Sequence, residues 1–174
     1  FLCEESGEIL GENKDVRWVI DPLDGTTNFL HGIPHFCISI GLQKEDFLLA
    51  GVIYDVIKNE IFWTEKGAGA YMNDRRLRVS GRRKVEECLI GTGMPFKGHG
   101  EETGPYLKKL ENIIPEVAGV RRMGSAALDL AYVAAGRLDG FFESQLKPWD
   151  MAAGLLMIQE AGGSMTDYEG NPYV

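Results

Sequence analysis

Two aspartates in a short turn are the residues of this chain best suited to chemistry. In the segment Asp21-Pro22-Leu23-Asp24-Gly25, the first aspartate follows a strand-like apolar run and the second comes three residues later. Pro22 fixes φ and is expected to end the strand, and Gly25 allows a tight bend, so both carboxylates can face one point beside the Leu23 carbonyl. Hard divalent cations prefer such oxygen ligands. A simple polar turn remains the alternative.

Two further acidic segments can add carboxylates to this turn. Glu4 and Glu5 precede it in a polar stretch, and Asp150 stands at the start of an Ala-rich helical segment. Taken alone, a glutamate pair is typical of a solvated loop, and such an aspartate is typical of a helix N-cap. The partial positive charge of a helix N-terminus also keeps a carboxylate ionised, which suits a metal ligand.

Two long motifs together resemble the signatures of the inositol monophosphatase family of magnesium-dependent phosphatases. The first covers residues 18–29, and the second covers 149–154 and continues through 160–163. The acidic stretch 4–6 matches as well, and the run 124–130 is most similar to the bacterial branch. Because the resemblance extends over nearly all 174 residues, the simple structural interpretations of these segments lose most of their weight.

The resemblance implies a metal centre with named ligands. Glu4, Asp21 and the Leu23 carbonyl would hold one Mg²⁺, and Asp21, Asp24 and Asp150 would hold a second. A third, weaker Mg²⁺ would depend on Glu4, and Mn²⁺ is an alternative ion. These acidic residues would otherwise repel each other, because two like charges at 4 Å cost roughly 4 kcal/mol at an effective dielectric constant near 20.

The resemblance also implies catalytic and substrate-binding residues around the metals. Thr26 would orient the attacking water beside the catalytic carboxylates Asp24 and Glu4, and the backbone N–H groups of Gly25 and Thr26 would bind phosphate. Glu143 would accept hydrogen bonds from a hydroxyl-rich substrate. For Arg121, an exposed strand end is the alternative. The implied substrate-binding set comprises Leu23, Asp24, Gly25, Thr26, Arg121, Gly124, Ser125, Ala126, Glu143 and Asp150.

The implied activity is phosphomonoester hydrolysis by a metal-activated water. The expected substrate is inositol monophosphate or a related polyol or sugar phosphate, and lithium is the expected inhibitor. Fructose 1,6-bisphosphate, NADP and histidinol phosphate are alternatives on the same metal centre. A protein-binding role in transcription, with catalysis secondary, is an alternative of a different class.

The composition limits the partners of the chain. It carries 26 acidic and 18 basic residues, and its net charge of −8 argues against nucleic acid or an anionic membrane as the main partner. Its apolar runs stay well below the ~20 residues that cross a bilayer. Three widely spaced cysteines fit a reducing cytoplasm. The resemblance adds a homodimer.

The elements that must position these residues follow from periodicity. Strands are predicted at 17–21, 36–43, 48–55, 60–64, 70–72 and 76–79, then at 88–91, 117–121, 140–143 and 164–167. Helices are predicted at 26–30, 103–114, 125–135 and 150–161, with Ser125 as N-cap and Gly136 after the helix end. This order predicts a layered α/β fold, and the resemblance specifies an αβαβα sandwich.

The chain is expected to be one such domain over residues 1–174, truncated at both ends. Family members have a further helical N-terminal region, which covers one sheet and gives Thr26 an acidic partner, and a C-terminal tail. We therefore expect this chain alone to fold poorly or to hydrolyse slowly. Two further aspartates, Asp129 and Asp139, are interpreted as helix-surface or turn residues, and Arg82 is interpreted as a solvated hairpin charge.

Overall fold

Two sheets and the helices packed on them make up the described part of the chain. The structure is a computed structural model that describes residues 1–9, 11, 15–95 and 100–172. Within these residues the larger sheet has eight strands: β1 (Leu2–Cys3), β2 (Gly7–Glu8), β3 (Val16–Asp24), β4 (Cys37–Lys44), β5 (Phe47–Asp55), β6 (Glu60–Glu65), β7 (Gly69–Met72) and β8 (Arg75–Arg76). Their order is β2-β1-β3-β4-β5-β6-β7-β8. In this sheet β1 runs parallel to β3, and the other described neighbours are antiparallel.

The smaller sheet and the helices follow. Its described strands are β9 (Leu89–Thr92), β10 (Gly119–Arg121) and β11 (Gly140–Phe142), which are parallel in the order β10-β9-β11. The described helices are α1 (Thr26–Leu30), α2 (Thr103–Ile113), α3 (Ala126–Ala134) and α4 (Pro148–Glu160). Helix α4 packs on the larger sheet, and α3 packs on α4 and contacts both sheets. The described layers confirm the predicted mixed α/β class.

The two faces of the larger sheet differ because side chains alternate along each strand. The inner face carries buried Val19, Ile53 and Phe62, which pack with apolar residues of α3 and α4. The outer face carries large apolar residues that are exposed: Trp18, Ile38, Val52, Ile61 and Trp63. A contiguous apolar surface of this kind is suited to contact with further polypeptide.

Three glycines allow α4 to approach its neighbours closely. Gly41 and Gly51 are paired across β4 and β5, and a Cβ on either would lie 2.8 Å from Ala152 or Ala153 of α4. On the other side of α4, a Cβ on Gly154 would lie 2.5 Å from Leu130 of α3. Real Cβ atoms do not approach so closely, so these positions fix the distance between helix and sheet.

Several element boundaries differ from the sequence-based predictions. The predicted strand 76–79 is wrong beyond Arg76, because the backbone N–H of Val79 donates to the Ala161 carbonyl instead of joining the ladder. The predicted strand 164–167 is also wrong, and an isolated bridge between Thr166 and Pro172 stands there. Helix α4 begins two residues earlier than predicted, at Pro148. The helix at 26–30 and the positive φ of Gly136 after α3 are confirmed.

None of the helices among the described residues combines the length and apolar character needed to cross a lipid bilayer.

The close approach of α4 gives a stability prediction. We expect Gly51→Ala to lower the free energy of unfolding by about 1–3 kcal/mol, because the added methyl meets the backbone of Ala153. Gly81→Ala is the matched control, since a Cβ there meets open space, and it should change stability by less than about 0.5 kcal/mol. Urea unfolding of both variants measures the difference. Equal stabilities would show that the helix can shift without cost.

Candidate functional site

The turn that carries the two aspartates is an irregularity within β3. Asp21 pairs with Ser39 of β4 and Asp24 pairs with Cys37, so the register shifts between the two aspartates. The prediction that Pro22 ends the strand is therefore wrong, because the extra residues are accommodated as a bulge, which tolerates proline. The Asp21 carboxylate accepts the backbone N–H of Leu23 at 2.9 Å. Both carboxylates are buried at this turn.

The residues after the turn are fixed by a left-handed glycine and a hydroxyl. Gly25 has φ 92°, and a Cβ there would lie 3.0 Å from the His35 carbonyl oxygen. A larger residue at this position would combine an unfavourable φ with a steric contact. Thr26 begins α1, and its hydroxyl donates to the Leu23 carbonyl at 2.9 Å. The structure thus joins Thr26 directly to the carbonyl that the resemblance implies as a metal ligand.

Asp24 joins β3 to the start of α3. Its Oδ2 accepts the Ser125 hydroxyl at 2.5 Å and the Ala127 backbone N–H at 2.8 Å, and the Cys37 thiol lies 3.7 Å away. Ser125 occupies the predicted N-cap position, but its side chain makes no capping hydrogen bond there. Ser125 is thus the N-cap residue of α3, as predicted, but the Asp24 carboxylate takes the place of its side chain. Asp24 accepts the N–H of Ala127 and the Ser125 hydroxyl.

Helix α4 brings the last predicted carboxylate to the turn. Asp150 is the third residue of α4, and its Oδ2 accepts the backbone N–H of Lys147 at 2.6 Å in a capping box. The Ser39 hydroxyl donates to the Trp149 carbonyl at 3.4 Å. Since Ser39 also pairs with Asp21, this contact places the start of α4 beside the bulge of β3.

A buried asparagine joins the segment before α3 to α1. The Asn28 side-chain amide donates to the carbonyl oxygens of His35 at 2.8 Å and Met123 at 2.9 Å. Gly124 follows Met123 with φ 87°, and a Cβ there would lie 3.1 Å from Asn28. Gly124, Ser125 and Ala126, which the resemblance implies in substrate binding, therefore sit next to α1 and the aspartate turn.

Burial and the charges of neighbouring carboxylates raise the pKa values of three acids of the site. Burial, followed by the charges of Asp24 and Glu4, raises the pKa of Asp21 from 3.8 to about 8. Burial and then Asp24 and Glu4 raise the pKa of Asp150 to about 6. Burial and then Asp24 and Asp150 raise the pKa of Glu143 to about 7. Such shifts require the side chains to lie within electrostatic range, and they are typical of functional sites.

Asp129 is a site residue that the sequence interpretation missed. The interpretation as a helix-surface residue is wrong, because only 1% of Asp129 is exposed and its Oδ1 is buried without a hydrogen-bond partner. Burial and then Glu143 and Asp24 raise its pKa to about 8. Apolar residues surround it in the sequence of α3, and an acid within a helix that is apolar on all sides indicates a buried charge.

The structure also places three charged residues that the sequence analysis interpreted as turn, hairpin or strand-end residues. Asp139 stands in a turn, as interpreted, but it accepts the Leu89 N–H at 2.8 Å and forms an ion pair with Arg82 at 3.1 Å. The interpretation of Arg82 as a purely solvated charge is therefore wrong. Arg121 is exposed at the end of β10 and donates to the Val120 carbonyl, which favours the strand-end alternative. Its neighbour Arg122 is the cation that acts on both Asp129 and Glu143.

The carboxylate oxygens of the site are of the type that hard divalent cations bind, although the structure does not arrange them as a ready ligand set. Among the described residues, no group of three or more His, Cys, Asp or Glu side chains is arranged so that it could hold a metal ion. The oxygens of Asp21, Asp24 and Asp150 accept protein hydrogen bonds instead. A cation would nevertheless relieve the repulsion that raises their pKa values. The implied ligand set therefore remains a prediction.

The fold is a layered α/β arrangement in which buried Asp21 and Asp24 of the larger sheet lie beside the starts of α3 and α4. The profile of the inositol monophosphatase family matches residues 1–174. This chain belongs to that family.

Relatives with two kinds of names are similar to the chain. It is 58% identical over 170 residues to an inositol-1-monophosphatase of Mesorhizobium japonicum, covering 98% of this chain and 64% of the relative. It is 50% identical over 170 residues to the Nus factor SuhB of Escherichia coli, covering 98% of this chain and 63% of the relative. The chain thus spans less than two thirds of the length of these relatives.

Solved structures show the same architecture. The extragenic suppressor protein suhB from Bartonella henselae matches with a TM-score of 0.94 and 59% identity, over 98% of this chain and 66% of that one. The inositol monophosphatase from Anabaena (Nostoc) matches with a TM-score of 0.92 and 42% identity, over 99% of this chain and 68% of that one.

The raised pKa values predict how stability depends on pH without metal. Because the folded-state pKa of Asp21 is about 8 against 3.8 for the free group, the folded state retains a proton that the unfolded state has lost between these values. Stability is therefore expected to fall as pH rises through this window.

Urea unfolding in chelator at about pH 5 and about pH 8 measures this effect. Asp21→Asn should show a smaller fall than the wild type, since the amide does not ionise, and this comparison separates Asp21 from the other titrating groups. An identical pH dependence in both proteins would contradict the raised pKa.

Proposed function

We propose that this protein is a Mg²⁺-dependent phosphomonoesterase that hydrolyses inositol monophosphate or a related polyol or sugar phosphate. The observation that carries the proposal is that buried Asp21 and Asp24 lie at one bulge of β3, beside the start of α4, which carries Asp150. The charges of neighbouring acids also raise the pKa values of Asp21, Asp150 and Glu143. Membership of the inositol monophosphatase family supports the same reaction. Sites that concentrate acidic oxygens in this way suit divalent cations.

Five residues are proposed to hold the ions. The ligands are the carboxylates of Glu4, Asp21, Asp24 and Asp150 together with the Leu23 carbonyl. Bound Mg²⁺ would make a water nucleophilic at neutral pH and neutralise the leaving oxygen. Mn²⁺ is an alternative ion for the same oxygen ligands.

The remaining residues are proposed to orient water and substrate. The Thr26 hydroxyl donates a hydrogen bond to the Leu23 carbonyl, so it is positioned to hold the attacking water beside the proposed metal ligands. The backbone N–H groups of Gly25 and Thr26 are proposed to bind phosphate oxygens. Ser125 holds Asp24 in place through its hydroxyl, and the segment Gly124, Ser125 and Ala126 is proposed to contact the alcohol side of the substrate.

The alcohol side of the substrate decides among related activities. Glu143 favours a hydroxyl-rich alcohol, because a carboxylate accepts hydrogen bonds from hydroxyl groups. Fructose 1,6-bisphosphate, NADP and histidinol phosphate share the phosphoryl chemistry and differ only in this part. A panel of these esters with inositol monophosphate, measured with metal and lithium titrations, ranks them by kcat/KM. We also propose inhibition by lithium and a homodimer.

Asp24→Asn tests the proposed hydrolysis. We expect phosphate release by the full-length protein to fall at least about 100-fold, roughly 3 kcal/mol in the barrier, because the site loses a charged ligand. Asp74→Asn is the matched control, since Asp74 is exposed in the turn between β7 and β8. Full activity in the Asp24 variant would refute the metal-ligand role.

A protein-binding role in transcription is a second candidate function. It is supported by relatives named Nus factor SuhB at about 50% identity, among them the protein of Salmonella typhimurium. The same Asp24→Asn variant separates the two functions in cells. If it rescues the phenotype of a deletion although phosphatase activity is lost, the protein-binding role is the cellular function. If it does not, catalysis is required.

A further inference from the structure

A short basic segment, residues 75–84, begins with β8 at the edge of the larger sheet and leads toward β9 of the smaller sheet. Six of its ten residues are arginine or lysine and none is acidic. The whole chain has 26 acidic and 18 basic residues, so the part outside this segment carries 26 acidic and only 12 basic residues. The basic segment therefore inverts the sign of the charge locally on an acidic protein.

Packing fixes the first half of the basic segment and turns its charge outward. Leu77 is buried and Val79 packs against the same core, so Arg78 between them is exposed. The backbone N–H groups of Leu77 and Val79 donate to the carbonyl oxygens of Ala70 at 2.7 Å and Ala161 at 3.1 Å. The backbone that presents this arginine is thus held in place by the core rather than free to move as a loop.

A turn at Ser80 then bends the basic segment around the end of α3. The Ser80 hydroxyl accepts the backbone N–H and a guanidinium N–H of Arg82, each at 3.1 Å. A Cβ on Gly136, which follows α3, would lie 3.1 Å from the Ser80 nitrogen and 3.2 Å from the Arg78 carbonyl oxygen. The bend forms a surface groove of about 660 Å³. The charged residues that line this groove are Arg78, Arg82, Arg83, Lys84 and Glu87.

The cations of the groove are only partly neutralised by the protein itself. Arg82 forms the ion pair described above, and Lys84 lies 3.7 Å from Glu87 in an exposed pair. Within the described part of the chain, Arg78 and Arg83 form no ion pair with a carboxylate, and both are exposed. In a protein with an excess of acids, such cations leave a local positive potential that suits an anionic partner.

We propose that this groove docks an acidic segment of a partner protein, whose carboxylates pair with Arg78 and Arg83. The argument is charge complementarity, because a guanidinium group matches a carboxylate in bidentate geometry. The charged lining residues are all exposed, so an extended peptide reaches them without entering an enclosed pocket. A small ligand is disfavoured by the same exposure, since small-molecule sites bury most of the ligand surface.

The charge distribution also favours a protein segment over a nucleic acid. A nucleic acid carries charge along its whole length, and beyond the basic segment it would meet the acidic remainder of the surface. A peptide with four consecutive acids extends over only ~13 Å, so its charge can end within the groove. Ion pairs between exposed side chains are weak and screened by salt, so this docking is transient and sensitive to ionic strength.

Fluorescence anisotropy with a labelled hexaglutamate peptide tests the docking on the full-length protein. The peptide should bind at low ionic strength, and Kd should rise at least about fivefold between about 20 and 150 mM salt. Arg83→Glu should raise Kd about tenfold, because it removes one ion pair and adds a repulsive charge. Arg83→Lys keeps the charge and should stay within about threefold of the wild type.

A matched control separates the groove from the net charge of the protein. Lys108→Glu makes the same change of charge on an exposed residue of α2, and it should change Kd by less than about twofold. Arg83→Glu should unfold at the same urea concentration as the wild type, since the exposed side chain makes no ion pair that folding needs. Its loss of peptide binding then reports on the groove and not on misfolding.

Four results would overturn the proposal. The first is a wild type that does not bind the peptide at low ionic strength, and the second is an equal loss of binding in Lys108→Glu. Tighter binding of a single-stranded 12-nucleotide DNA, weakened by Arg83→Glu, would assign the groove to nucleic acid. A change of oligomeric mass in Arg83→Glu, measured by sedimentation, would show that a second copy occupies it. Phosphate release is not part of this test, so its outcome is independent of the proposed hydrolysis.

Discussion

The close approach of α4 to the larger sheet at Gly41 and Gly51 is the constraint on which the rest of the structure depends. Because no side chain separates helix and sheet there, the start of α4 reaches Ser39, which is paired with Asp21. On its far face α4 meets Leu130 of α3 at a third glycine. That contact fixes the position of α3. The start of α3 in turn presents the Ser125 hydroxyl and the Ala127 backbone N–H to Asp24. Carboxylates distant in sequence are gathered by backbone packing.

This gathering has an electrostatic cost that the fold must offset. Buried acids with raised pKa values destabilise the folded state as they ionise. The large apolar contacts of the core, among them Phe62, Leu128 and Met157, supply the compensating free energy. Buried carboxylates that lower stability are expected where their charge has a function. This is the physical reason to interpret the region as a functional site.

Sequence patterns predicted local structure well and tertiary relations poorly. The strands β4 to β6 and the short helix α1 follow from alternation and turn residues, and Asp21, Asp24 and Asp150 stand out through their motifs. The path of β3 through Pro22 does not follow from pattern, because a bulge depends on the partner strand. The burial of Asp129 depends on which sides of α3 are covered. The pairing of Arg82 joins residues far apart in the chain, so no local rule could predict it.

The two sheets divide the work of the proposed site, and this division has a chemical consequence. The larger sheet and the start of α4 carry the oxygens proposed to bind the phosphate, while Glu143 follows β11 of the smaller sheet and lies against the backbone of Gly93. Since hydroxyl recognition is proposed for Glu143, which is not a proposed metal ligand, alcohol preference can change through residues along β9 and β11 alone. The phosphoryl half then stays intact, as expected when one fold serves several substrates.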